Sequence, residues 1–402
     1  MIENTYAAKA AFYLQTLCEV KPNRRTGSAG NSEATEFFAT IVGGFGYDMD
    51  TRPFDCLDYI AGPSTLNSGE SDFQVYTSPY SCGCSITGEL VAVSSLEDLE
   101  SSQCQGKILL MYGTIGDEQL MPKNFVFYNP EHHQQLIALI EKKGPAAIIT
   151  ATKRNPEMVG ALYPFPLIVD GDFNIPIAYC TDLEGGRILE RSDSPFECVI
   201  QSQRLNSSAS NIIARKNLGA PSKIVVTAHI DSYEDSPGAS DNASGTVVLM
   251  LLAEMFKTSQ GEQGLEIAAF NGEDHYSAGG QMDYLERYGN EFSKIQVVIN
   301  VDDVGYIRGR SAYSTYDLPF GLSKKVHETF DGFEDLVEGE PWFNGDHMIF
   351  VQNGVPAIAF TAELMPELMA SITHTMADTP ENIDPRKLVE VARVLERLIL
   401  QL

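Results

Sequence analysis

His229 and Asp231 follow directly on the apolar run Lys223–Ala228, and Asp241 comes twelve residues after His229 in the glycine- and serine-rich stretch SPGASDNASG. An imidazole and a carboxylate delivered by one loop at the end of a buried strand are the beginnings of a metal site. In α/β folds chemistry gathers where parallel strands end. Three later places repeat the arrangement: Glu273-Asp274 in FNGEDH, Asp302-Asp303 in INVDDVG, and His374 in ITHTMADT. Any one of them alone reads as a turn, a helix cap or a satisfied polar residue. Four, each just past a strand-like run, read as a metal centre.

Imidazole and carboxylate donors without thiolate suit zinc, with manganese or cobalt as substitutes. Charge favours two ions: Asp241, Asp274 and Asp302 bring three negative charges against four on two divalent cations. A pair of ions about 3.5–4 Å apart needs one carboxylate that bridges them. Asp231 is spaced to take the other imidazole nitrogen of His229, and Asp378, four residues after His374, to do the same for that histidine. Glu273 is then left without a metal, and a carboxylate so placed can take a proton from water and pass it to a leaving amine.

The surrounding texture supplies the frame. Helical spacing is expected over 4–20 and 32–43, and a strand in YDMDTRPFDC. From 58 to 205 the chain is turn-rich with short strand-like pieces (GELVAV, GKILLMYG, PAAIITAT, IPIAYCT), a compact β-rich unit. After 206 come apolar strands KIVVTAH, GLEIAAF, KIQVVINV and VPAIAFT, alternating with helices expected at 244–258, 277–289, 320–330 and 385–401. That alternation predicts a three-layer α/β sandwich. The split is therefore 1–57 with 206–402 as one domain and 58–205 as an insertion.

A net charge of −27 argues against nucleic acid or an anionic membrane as partner and favours cationic ligands such as free α-amines. No apolar run approaches the length of a bilayer span. The N-terminal residues read as an amphipathic helix rather than a leader. Seven cysteines, an odd number, do not suggest a disulfide framework, and a reducing, cytoplasmic setting is the expectation. HExxH, Walker and GxGxxG motifs are absent from the sequence, and Ser240 and Ser244 lack the GxSxG elbow of a serine hydrolase.

In order and spacing, HID, SPGASDNASG, FNGED, NVDDVG, GDHMIF and THTMADTPENID resemble the co-catalytic zinc aminopeptidases of metallopeptidase family 28, which also contains glutamate carboxypeptidase and the animal glutaminyl cyclases. The opening KPNRRTGSAGN is similar to that family's as well, and the insertion resembles a protease-associated domain. The resemblance implies a sandwich with a mixed central sheet and a peptide substrate. It also implies one zinc on His229 and Asp302, the other on Asp274 and His374, Asp241 between them, and Glu273 as general base. Three positions depart from the family: Asp274 stands where glutamate is usual, Asp303 where methionine is common, and Thr373 where several relatives have a tyrosine that stabilises the oxyanion. Asp303 is thus a candidate for holding a substrate amine or restraining the loop, and His347 for the oxyanion contact or a packing role. The rival readings are a carboxypeptidase, for which Arg308 and Arg310 would have to bind a substrate carboxylate, and a binding protein that keeps the fold without catalysis. The sequence leaves the oligomeric state open.

Overall fold

The computed structural model describes residues 2–125, 129–259, 261, 263–275 and 279–402. The chain divides into two compact units, Met1–Cys56 with Ser208–Leu402, and Leu57–Ser207.

The first unit is built on an eight-stranded mixed sheet. At its centre lie four mutually parallel strands in the order Gly264–Phe270, Lys223–His229, Ile295–Val301 and Ala357–Ala362. Antiparallel pairing adds Ile212–Lys216 on one side and Ser311–Tyr316 on the other. The edges are Asp48–Asp50 and Leu336–Glu338. The central strands are buried on both faces, which is why they read as unbroken apolar runs.

Alternate side chains point to opposite faces. Ile224, Val226 and Ala228 pack with Leu14, Phe38, Val248 and Leu395 from helices Ile2–Cys18, Ala29–Gly43, Gly245–Met255 and Pro385–Ile399. On the opposite face Phe270 meets Tyr284 of helix Gly280–Tyr288 edge-on at 4.9 Å, and Phe350 closes the same aromatic group. The result is helices on both faces of a mixed sheet. Of the helix expected at 277–289, residues 277 and 278 lie outside the described residues. The sequence missed strands Ile212–Lys216 and Ser311–Tyr316. The second reads S-A-Y-S-T-Y, too poor in aliphatics to stand out, and pairing with Ala357–Ala362 supplies what propensity does not.

The second unit has a five-stranded sheet, and a four-stranded one includes the two long strands Pro53–Ser68 and Phe196–Ser210. In the five-stranded sheet Leu90–Val93, Ile108–Met111, Ala147–Thr152 and Ile177–Thr181 run parallel. Helices Glu131–Lys143 and Asp182–Leu189, over the helical segments HHQQLIALIEKKG and DLEGGRILER that the sequence offers, make this unit partly α/β.

Candidate metal centre

The parallel strands end level with one another: His229 pairs with Phe270, and Asp302 donates its N–H to the Phe360 carbonyl at 3.0 Å. Residues immediately beyond these ends therefore share one rim of the sheet. His229 is itself the last strand residue, fixed further by the Thr246 hydroxyl on its carbonyl at 2.9 Å. Past Phe270 the chain turns at Gly272, whose φ of +89° suits a residue without a side chain, and presents Glu273 and Asp274. Asn271 anchors this turn. Its N–H bonds Asn211 Oδ1, and its side chain bonds the Ser210 carbonyl and the amide of Asn31.

Side chains from all four places converge. Asp241 directs Oδ1 to His229 Nε2 and Oδ2 to His374 Nε2, each at 3.0 Å. Asp302 Oδ1 lies 3.4 Å from His229 Nε2, and Asp274 Oδ1 lies 3.1 Å from His374 Nε2. Asp231 Oδ1 faces His229 Nδ1 at 3.6 Å, beyond hydrogen-bond length. Asp378 does something other than the spacing suggested. Its two oxygens accept the backbone N–H groups of Ser240 and Asp241, at 2.7 and 3.1 Å, so it orients the Asp241 loop. Asp303 is buried and accepts the Ser240 hydroxyl at 2.6 Å.

Both Asp303 and His374 have left-handed backbones, φ +52° and +64°. Such a conformation costs about 1–2 kcal/mol for a residue with a side chain. At His374 it accompanies an imidazole turned toward Asp241 and Asp274. His374 is also the most open of the set, its side chain 20 % exposed against 1 % for His229. Access is therefore from the His374 side. The Tyr233 ring stacks on that imidazole at 4.8 Å and 23°, an aromatic neighbour the sequence reading did not single out.

The electrostatics call for cations. Burial, reinforced by Asp302, Asp274 and Asp346, pushes the Glu273 carboxyl well above the ordinary range against the pull of His229. Burial likewise raises Asp346 to about 7 and Asp378 to about 7. Both imidazoles are pushed well above their ordinary value: burial opposes their charge, and the surrounding carboxylates outweigh it. No Lys or Arg pairs with Asp231, Asp241, Asp274 or Asp302 among the described residues. The donor atoms also fit a metal. Both nitrogens of His229, Oδ1 of Asp302 and Oδ2 of Asp274 are buried without a hydrogen-bond partner among the described residues, although oxygens of Asp241 and Asp302 lie 3.0 and 3.4 Å from His229 Nε2. His229, Asp241 and Asp274 each offer a donor atom, and these atoms lie within 4.8 Å of one another, a group that could hold a metal ion.

His347 is buried against Trp342 and Tyr316, and its Nε2 is spent on the Trp342 carbonyl at 3.0 Å. Burial holds this imidazole near 4, so Nδ1 carries a lone pair and is no oxyanion donor. The neighbouring Asp346, which the sequence reading passed over, faces the site electrostatically and accepts the Gln281 amide at 2.7 Å. Arg308 and Arg310 are engaged by Glu367 and Glu363. A second group of metal-type residues, Glu118, His132 and His133, lies in the other unit. There the Met121 N–H bonds His133 Nδ1, which leaves the ring proton on Nε2, facing Glu118. That is a histidine–carboxylate contact rather than a metal cage.

Residues 211–399 match the family model described as peptidase family M28. Among curated proteins, aminopeptidase YwaD of Bacillus subtilis is 24 % identical over 56 % of this chain and 50 % of its own length. The probable lipoprotein aminopeptidase LpqL of Mycobacterium tuberculosis is 22 % identical over 79 % of this chain and 59 % of its own. The chain thus spans between half and three fifths of those two relatives. The solved structure of BSAP, a zinc aminopeptidase from Bacillus subtilis, superposes with a TM-score of 0.77 at 20 % identity, covering 98 % of this chain and 95 % of that one. The aminopeptidase from Aneurinibacillus sp. strain AM-1 gives 0.75 at 20 %, over 98 % and 93 %. At such identity these structures speak for the fold, and the family match falls on the part of the chain that carries the candidate metal centre: residues 211–399 match peptidase family M28.

Proposed function

We propose that this protein is a zinc-dependent aminopeptidase that removes N-terminal residues from peptides. The observation that carries this reading is Asp241, one carboxylate with an oxygen at 3.0 Å from each of two histidines. A second carboxylate completes each half, Asp302 beside His229 and Asp274 beside His374. Two divalent cations held by this set would polarise the scissile carbonyl and acidify an attacking water. Glu273, carried by the turn after its strand, accepts the proton of that water and returns it to the departing amine. The excess of buried carboxylate favours a substrate with a free, cationic α-amine.

The carboxypeptidase reading has less support, because its candidate arginines are already paired with glutamates. Residues 58–205 are read as a protease-associated insertion, on the strength of GKILLMYG, PAAIITAT and IPIAYCT contributing adjacent parallel strands. Seven cysteines, an odd number, favour a reducing, cytoplasmic compartment. No helix among the described residues is long and apolar enough to cross a membrane.

Hydrolysis of an aminoacyl p-nitroanilide, abolished by chelator and restored by zinc, is the expected result. The N-acetylated amide should not be cleaved. Turnover that ignores chelator, or equal cleavage of free and acetylated substrates, would overturn the reading.

A further inference from the structure

We propose that Arg24 is a positioning residue for the metal centre, setting the separation of His229 and Asp241 by clamping the loop between them. This rests on the metal-centre reading above.

Arg24 is 1 % exposed, among the largest fully buried side chains of the described residues. Its Nε donates to the Ile230 carbonyl at 2.9 Å, Nη1 to Pro237 at 2.6 Å and to Leu17 at 3.1 Å, and Nη2 to Gly238 at 2.8 Å. Three of these four carbonyls belong to the segment that starts one residue after His229 and ends three before Asp241. A single rigid guanidinium therefore ties both ends of the loop together and fastens them to the end of the first helix. The loop backbone is shaped to admit it. A Cβ at Gly238 would fall 2.5 Å from the Asp241 carbonyl, 2.6 Å from Ser232 Cβ and 2.7 Å from Arg24 Nη2, so glycine is needed where the loop folds on itself beneath the fork.

His229 sits on a sheet strand and needs no such support. Asp241 lies in a loop, and its two oxygens must meet two histidines at once. Asp378 holds the amides of Ser240 and Asp241 from one direction, and Arg24 holds the carbonyls of Pro237 and Gly238 from the other. Outer partners of this kind are worth about 10- to 100-fold in metal affinity. Lysine keeps the charge but offers no fork, so Arg24→Lys leaves buried carbonyls unpaired and frees the loop to drift.

The test titrates zinc into chelator-stripped protein by calorimetry for wild type, Arg24→Lys, Arg24→Ala and a control, Glu266→Gln, in the strand beside His229's but far from its end. Thermal unfolding in chelator reports on the fold alone. We expect Arg24→Lys to bind zinc about 10- to 100-fold more weakly, and methylguanidinium to restore affinity to Arg24→Ala. The control should lose thermal stability while binding zinc as wild type does. Arg24→Lys binding zinc as tightly as wild type overturns the inference. So does an affinity that falls only in step with melting temperature and is not rescued by methylguanidinium, or variants that fail to fold in chelator even with it, since either makes Arg24 a general staple of the fold. Wild type that binds no zinc overturns the proposed function itself, and this inference with it.

Discussion

Asp378 accepts the backbone N–H of Asp241 at 3.1 Å, with its other oxygen on the N–H of Ser240. A carboxylate buried at 0 % exposure thus holds the loop whose side chain reaches both histidines. Spacing along the chain suggested that Asp378 would serve His374, its neighbour in sequence. Folding instead brings it to a residue 137 positions away.

Asp378→Asn should therefore act on metal binding through Asp241. The amide can accept one N–H but turns a donor toward the other, so zinc affinity should fall by about 10- to 100-fold. Calorimetric titration reads this directly, and wild-type affinity would show that the loop holds its shape unaided.

Glu273→Gln keeps size and removes the base. Its turnover should drop by about 10²–10⁴-fold with zinc content unchanged. Steady-state kinetics beside elemental analysis separates the two. Near-wild-type kcat would remove Glu273 from the mechanism.

Asp274→Ala takes the carboxylate from beside His374 Nε2 and leaves the His229–Asp302 half intact. Elemental analysis should find one zinc equivalent fewer than in wild type. An unchanged zinc content would mean that another group binds on the His374 side.

The buried acids also give the chelator-stripped protein a pH signature. Burial raises Asp346 and Asp378 from the ordinary carboxylate range to about 7 in the folded chain. Between those limits the unfolded chain has released protons that the folded chain still holds, so stability falls as pH rises through this window. Saturating zinc should offset the loss, because cations favour the ionised acids. Melting temperatures in chelator that climb across the same window would contradict the assignment of these carboxylates as unneutralised.

Much of this was legible in the sequence, because the central strands are apolar on both faces and their ends carry polar residues in an otherwise apolar setting. His229, Glu273, Asp274 and Asp302 stand out in that way, whereas Asp241 lies in the loop after its strand and His374 follows helix Met365–Ser371 rather than a strand end. What stayed hidden depends on contacts between distant segments. Arg24 is one basic residue among several in KPNRRTGSAGN, and nothing local says that it will be buried under a loop more than two hundred residues later. Tyr233 is a loop tyrosine until His374 comes to lie under its ring. Asp346 was overshadowed by the histidine beside it, whose Nε2 is taken by the Trp342 carbonyl. The inserted unit gave away four of its strands but not that they run parallel, since short apolar runs carry no direction, and it hid the long strand Phe196–Ser210 altogether.

The central claim is that Asp241 joins two cations between His229 and His374. Zinc K-edge X-ray absorption on the reloaded protein tests it most directly. The account predicts nitrogen and oxygen neighbours only, with a second zinc at about 3.5–4 Å. A spectrum with sulfur ligands, or with no zinc–zinc scattering at full loading, would contradict it.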